Sequence, residues 1–272
     1  NPATWLSLRF LNMTNPTGIK LMRLFMIRIA YRMQRLAYRL FKPLQKSIKH
    51  QPKPTSGKAS LSTQIVQFVA KPLPAAIPRK TMRALLAIED ATHVPIISDP
   101  KKITEDSDAV FYFPGCGSER LFSQVGMATI AMLTHAGARV VLPPAYLCCG
   151  YPQTSNGDEK KGEAISTENR VLFHRIANTL NYLDIKTVVV SCGTCMDQLL
   201  KYQFDKIFPG CRLLDIHEYL LEKHVTIEAG HGRKYIYHDP CHSPMKTYEP
   251  LKVAQTLMAA EVVETDRCCG EA

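Results

Sequence analysis

The sequence predicts an α/β protein: two tandem Rossmann-like β-α-β cysteine-rich modules with parallel sheets, preceded by a basic helical connector. Three observations carry this expectation. Short runs of β-branched and aromatic residues alternate with longer helical runs, the pattern of a mostly parallel sheet covered on both faces. A strand ending in a single cysteine and a later Cys-Cys-Gly recur in the same order. Cys116 and Cys241 lie 125 residues apart, and Cys148 and Cys268 lie 120 apart, which is the scale of a duplicated unit and not of a solenoid. Charge also divides the chain: residues 1–88 hold 16 Lys/Arg and no Asp or Glu, while the following 184 hold 18 bases against 24 acids. A chain of 272 residues has room for one large core or two small ones. With 46% apolar and 21% charged residues, it is neither collagen-like, mucin-like nor wholly disordered. No run of about 18 uncharged apolar residues is present, which excludes a conventional transmembrane helix.

Residues 1–100 are expected to form the basic connector, with Pro-rich linkers. Lys20, Arg23, Arg28, Arg32, Arg35, Arg39 and Lys42 recur at helical steps, with Leu21, Leu24, Phe25, Ile29, Met33, Leu36 and Leu40 between them. Pro43 and the stretch Gln51–Gly57 end that helix, and Lys71-Pro72-Leu73-Pro74 leads to a short helical segment at Met82–Ile88. Three partners fit a cationic amphipathic helix: another domain or subunit covered by its long basic stems, an anionic membrane surface, or nucleic acid. The last is not expected, because no recognised module or aromatic platform accompanies the charge. The first residue is Asn1, and the chain stops inside a Cys268-Cys269-Gly270 motif. We therefore expect an internal piece of a longer protein.

The first module is expected over 108–225. Ala109–Phe113 reads as a buried strand ending in the loop Pro114-Gly115-Cys116-Gly117. A helical run from about Leu121 to His135 ends at Gly137. A second strand, Ala138–Leu142, leads through Pro143-Pro144 to Cys148-Cys149-Gly150. Lys186–Ser191 is a β-branched strand that delivers Cys192-Gly193-Thr194-Cys195 to the start of a helix. The second module, 232–272, repeats the plan: strand Lys234–Tyr237, loop His238-Asp239-Pro240-Cys241-His242, helix Leu251–Ala260, strand Glu261–Glu264, then Cys268-Cys269-Gly270. Parallel strands end on one edge, and ligands collect beyond the carboxyl ends of such strands. Distant cysteines are therefore expected to converge there.

Several chemistries suit such a convergence. A structural zinc needs four ligands, and five thiols with an adjacent pair exceed that. Adjacent cysteines suit a centre with several irons, with small Gly115, Gly117, Gly150 and Gly193 letting backbone N–H groups approach its sulfurs. A redox pair at Cys192/Cys195 is open too, since a C-x-x-C motif opening a helix lowers thiol pKa. Static disulfides are disfavoured without a signal peptide.

The elements Phe113-Pro114-Gly115-Cys116, Leu147-Cys148-Cys149-Gly150-Tyr151-Pro152 and His238-Asp239-Pro240-Cys241-His242 resemble the cysteine-rich CCG domain. That domain usually occurs in tandem copies. It is found in one subunit of heterodisulfide reductase and in the iron–sulfur subunits of glycolate oxidase, anaerobic glycerol-3-phosphate dehydrogenase and lactate-utilisation complexes. The resemblance spans roughly 108–272, about 60% of the chain. It implies a non-cubane 4Fe-4S cluster on Cys116, Cys148, Cys149, Cys192 and Cys195. It implies a second, incomplete site on Cys241, Cys268 and Cys269, for a cluster or zinc. The chain looks like the carboxyl-terminal part of a fused FAD-linked oxidase. The partners implied are a flavin-containing domain or subunit that holds the FAD, and a ferredoxin-like domain. The resemblance further implies an electron-transfer module of a 2-hydroxy acid oxidoreductase, cytoplasmic or peripheral on the inner face of the cytoplasmic membrane, with electrons leaving to a quinone or another carrier. Heterodisulfide-reductase-like thiol chemistry and a zinc-stabilised interaction module are the alternatives. Near the motifs, His238 and His242 are expected to hydrogen-bond their own loop. Asp215 is expected to cap the helix that carries His217, and Cys211 to be a plain core residue.

Overall fold

The computed structural model describes residues 2–41, 77–227 and 233–266. The Pro-rich stretches at 51–57 and 71–74, Gly230-His231-Gly232 and the pair Cys268-Cys269 lie outside the described residues. The chain divides into two compact units, one of residues 1–14 and 80–272 and one of residues 15–79.

Helix α1, Pro2–Leu11, belongs to the larger unit. The smaller unit opens with α2, Pro16–Arg23, capped by Asn15, whose side chain accepts from Thr17 N at 3.0 Å. It continues without a break through a π turn, Leu24–Ala30, into α3, Tyr31–Phe41. Leu21, Phe25, Ile29, Met33, Leu36 and Leu40 are all 48–67% exposed. Residues four apart drift by about 40° on an α-helix, and the wider π turn offsets that drift and keeps these side chains in one stripe. Lys20, Arg28, Arg32, Arg35 and Arg39 are exposed as well. Each directly precedes a stripe residue, which sets the bases along one flank about 100° away.

In the larger unit the elements follow the expected alternation. They are α4 (Met82–Leu86), β1 (Ile96–Ile97), β2 (Ala109–Phe113), α5 (Gly115–Arg120), α6 (Ser123–His135), β3 (Arg139–Val141), α7 (Tyr151–Thr154), α8 (Glu159–Thr179), β4 (Ile185–Val190), α9 (Gly193–Leu199), α10 (Phe204–Ile207), β5 (Arg212–Asp215), α11 (Ile216–Glu222), β6 (Tyr235–Tyr237), α12 (Pro250–Met258) and β7 (Val262–Glu264). Five strands form one sheet in the order β1-β3-β2-β4-β5. Only β1 is antiparallel to its neighbour; β3, β2, β4 and β5 run parallel. Val110 pairs with Val140, and Phe111 with Val188.

Alternate side chains of these strands feed two cores, as the period-2 pleat requires. Phe111, Phe113, Val188 and Val190 pack with Phe173 and Ile176 of α8 and with Phe204 and Ile207 of α10. Val110, Tyr112, Val140 and Val189 pack with Ile130 and Leu133 of α6, Tyr219 of α11, and Val253 and Leu257 of α12. Every residue of β2 is buried, as expected for a central strand covered on both faces. Strands β6 and β7 form a separate parallel pair with α12 between them in sequence, so the β-α-β plan does recur.

Two boundaries differ from the sequence reading. Residues 1–100 are not one connector: 1–14 and 80–100 belong to the sheet unit, where Met82 and Arg83 are fully buried and Ile96–Ile97 adds the antiparallel edge. The segments 108–225 and 232–272 share one compact unit, because α12 buries Val253 and Leu257 in the core under the first sheet.

Candidate functional site

Three parallel strands deliver the cysteines to one edge. Strand β2 ends at Phe113, and Gly115, at φ +72°, turns the chain into α5, which carries Cys116. Strand β3 leads to Cys148 and Cys149, and Gly150, at φ +94°, turns the chain into α7. Strand β4 leads to Cys192, the N-cap residue of α9, whose first turn holds Cys195. The connections out of β2 run to β3 on one side, and the return from β3 runs to β4 on the other. This is the topological switch point at which open α/β sheets place ligands.

The five thiols form a continuous chain. Cys116 donates to Cys148 and Cys148 to Cys149. Cys195 donates to Cys149, with the sulfurs 3.6 Å apart, and also interacts with Cys192. Four of them are buried and Cys192 is half-buried. Backbone N–H groups reach them too: Gly150 to Cys148, Tyr151 to Cys149, and Thr194 and Cys195 to Cys192. A Cβ on Gly115 would stand 2.7 Å from Cys195 Sγ, so that glycine is required by the close approach as well as by its φ.

Crowding splits the acidities. Hydrogen bonds from Cys148 and then Cys195 hold the Cys149 thiol well below the ordinary range. The Cys195 hydrogen bond holds Cys192 down to about 5. Donation to Cys148, then burial, pushes Cys116 up. Donation to Cys149 and Cys192 pushes Cys195 up. Cys148 is lowered by Cys116, but its bond to Cys149 and its burial outweigh this and push it up to about 12. Without cations, further thiolates would repel one another in a buried pocket. Among the described residues no three His, Cys, Asp or Glu side chains are set to hold a single metal ion. Five soft donors served by backbone N–H groups fit a centre of several irons better than one tetrahedral zinc.

The second repeat meets this site through its loop. His242 Nε2 lies 2.8 Å from Tyr151 Oη, and its Nδ1 lies 2.5 Å from Asp197 Oδ2. Lys246 also pairs with Asp197, at 3.0 Å. A Cβ on Gly193 would fall 1.7 Å from the His242 carbonyl oxygen, so the loop lies directly on the first turn of α9. Among the described residues His242 thus bonds across to the first module, to Tyr151 and Asp197, where its own loop is expected. His238 Nε2 is buried and finds no hydrogen-bond partner among the described residues. Cys241 is exposed, while Cys268 and Cys269 lie outside the described residues. Cys211 immediately precedes β5, at the opposite edge of the sheet, packed in the core and pushed up to about 12 by burial. Asp215 caps α11 in a full capping box with Glu218.

Sequence reasoning missed the buried polar network behind Cys116 and Cys148. Arg83 Nε pairs with Glu119 Oε1 at 2.7 Å, and Arg83 Nη2 donates to the Pro143 carbonyl at 2.6 Å. Glu119 Oε2 accepts from Leu147 N at 3.3 Å. Arg120 donates to the carbonyls of Leu147 and Met13, both at 2.9 Å. Only the adjacency of Glu119 and Arg120 to the Cys116 loop hinted at this, and adjacent opposite charges read as surface residues.

Comparison with known proteins agrees with the site. The chain is 27% identical over 188 residues to an uncharacterized iron–sulfur protein of Methanococcus maripaludis, covering 67% of this chain and 36% of that protein. It is 29% identical over 166 residues to one subunit of the fumarate reductase (CoM/CoB) of Methanothermobacter marburgensis, covering 58% and 32%. It is 27% identical over 182 residues to the "probable glycolate oxidase iron-sulfur subunit" of Bacillus subtilis, covering 60% and 39%. The chain thus spans between 32% and 39% of the length of these relatives. No solved structure matches it. The family model for the cysteine-rich CCG domain matches residues 110–200, the stretch that holds all five clustered thiols.

Proposed function

We propose that this chain is an iron–sulfur electron-transfer module of a larger FAD-linked oxidoreductase of the 2-hydroxy acid type. Electrons would arrive from a flavin held elsewhere and leave towards a quinone or another carrier. Cys116, Cys148, Cys149, Cys192 and Cys195 would hold a non-cubane 4Fe-4S cluster. Cys241, Cys268 and Cys269 would contribute to a second site, for a cluster or zinc. The observation that carries this reading is the unbroken thiol chain drawn from three strand ends. The names of the glycolate oxidase and fumarate reductase relatives point the same way.

A bound cluster supplies one-electron storage. The protein's part is to hold the ligands. Sheet register fixes the three loops, buried N–H groups face the sulfurs, and the His242 loop covers α9. No acid–base pair is needed for this role. The exposed stripe of α2 and α3, flanked by bases, supports contact with an anionic membrane surface on the cytoplasmic side. No helix among the described residues is long and apolar enough to cross a membrane.

Anaerobic purification with iron and acid-labile sulfide assays, followed by EPR, tests the assignment. Cys149→Ser should lose most of the iron and Cys211→Ser should keep it. Equal iron in the two variants, or zinc alone in the wild type, overturns the reading. A half-buried Cys192 held down to about 5 also suits thiol–disulfide chemistry. Reduction of a disulfide substrate without a flavoprotein would favour that second reading.

A further inference from the structure

Arg120 is a fully buried guanidinium with no carboxylate in ion-pair contact among the described residues. Its terminal nitrogens go to two carbonyl oxygens, its Nε is buried without a partner, and the Tyr146 ring lies 5.4 Å from its Cζ. The one fully buried carboxylate of the network, Glu119, is engaged by Arg83 at 2.7 Å. Glu89 is met by the Tyr146 hydroxyl at 3.0 Å. Within this network two fully buried guanidinium groups share one fully buried carboxylate, Glu119, which feels the charge of both Arg83 and Arg120. A buried charge that is only partly balanced is costly unless further negative charge lies close by.

The pocket that would answer it is adjacent on both sides. Arg120 lies four residues after Cys116 on α5, hence on the same helical face. The carbonyl it grips belongs to Leu147, the residue before Cys148. We propose that Arg120, fixed beside the Cys148 loop by the Leu147 carbonyl, is the counter-charge of the cluster and would stabilise the negative charge added on its reduction. This rests on the cluster reading. Reduction adds one electron and one negative charge to the centre with no proton required, and a nearby cation stabilises the reduced form more than the oxidised one.

The test is an anaerobic redox titration of the iron-loaded chain with dithionite, read by EPR, on the wild type, Arg120→Lys and Arg120→Met. Arg120→Met should retain iron and shift the reduction equilibrium by about tenfold towards the oxidised form, 59 mV for a one-electron couple. Arg120→Lys keeps the charge and should stay near the wild-type potential. Thermal unfolding of the iron-free proteins provides a second readout. Arg120→Met leaves the Leu147 and Met13 carbonyls without this donor, so the apo midpoint should fall modestly in Arg120→Met while a cooperative transition is kept. An unchanged potential in Arg120→Met, or an equal shift in Arg120→Lys, overturns the proposal. A wild type without iron overturns the cluster reading instead.

Discussion

At the scale of single residues, position within the sheet separates reactive from inert cysteines. Cys211 and Cys149 are both buried, yet one packs beside the amino end of a strand and the other joins a thiol chain beyond a carboxyl end. His217 shows the same dependence on a neighbour. Its ring Nδ1 lies 2.6 Å from Asp215 Oδ1, and that hydrogen bond raises its pKa above the usual value. A raised folded-state pKa stabilises the fold below the unfolded value of about 6.5 and ceases to do so as pH climbs through the folded value. The urea midpoint of the wild type should therefore exceed that of His217→Gln most below about pH 6, with the gap closing in alkaline buffer. A gap that is constant with pH would refute the role of the His217–Asp215 pair.

At the scale of elements, the legible parts were those whose pattern is local. Strands β2 and β4 announce themselves by β-branched and aromatic runs, and the motif cysteines directly follow β2 and β4 and lie just beyond β3. Helix α8 was not legible, because Val171, Leu172, Phe173 and Ile176 are diluted by a polar first half of the helix. Strand β5 is four residues long and was seen only as the approach to the Asp215 cap. The buried Arg83–Glu119 pair was hidden because its partners lie 36 residues apart. The docking of the second repeat on α9 depends equally on distant partners. Gly193→Ala tests it: the added Cβ meets backbone and not a flexible side chain. We expect a loss of about 1–3 kcal/mol, seen as a lower thermal midpoint together with faster proteolysis near residues 238–246. Wild-type behaviour in both assays would show that the close contact is absent in solution.

At the scale of the whole molecule, composition misleads. A net charge of +10 describes neither a basic amino-terminal third nor an acidic sheet unit. The exposed stripe with its cationic flank should bind phosphatidylglycerol vesicles in a co-sedimentation assay and leave phosphatidylcholine vesicles unbound. Arg32→Gln and Arg35→Gln should each weaken binding about fivefold, and Met33→Glu should weaken it further. Equal binding to neutral vesicles, or none to anionic ones, would assign the stripe to a protein partner.

The thiols of this site come from three loops whose parent strands are paired only through β2. During synthesis, the first pocket wall leaves the ribosome well before the last, and the five thiols meet only once β4 has joined β2. Maturation factors would then meet a finished apo-protein, whose own durability sets how long it can wait for its cargo.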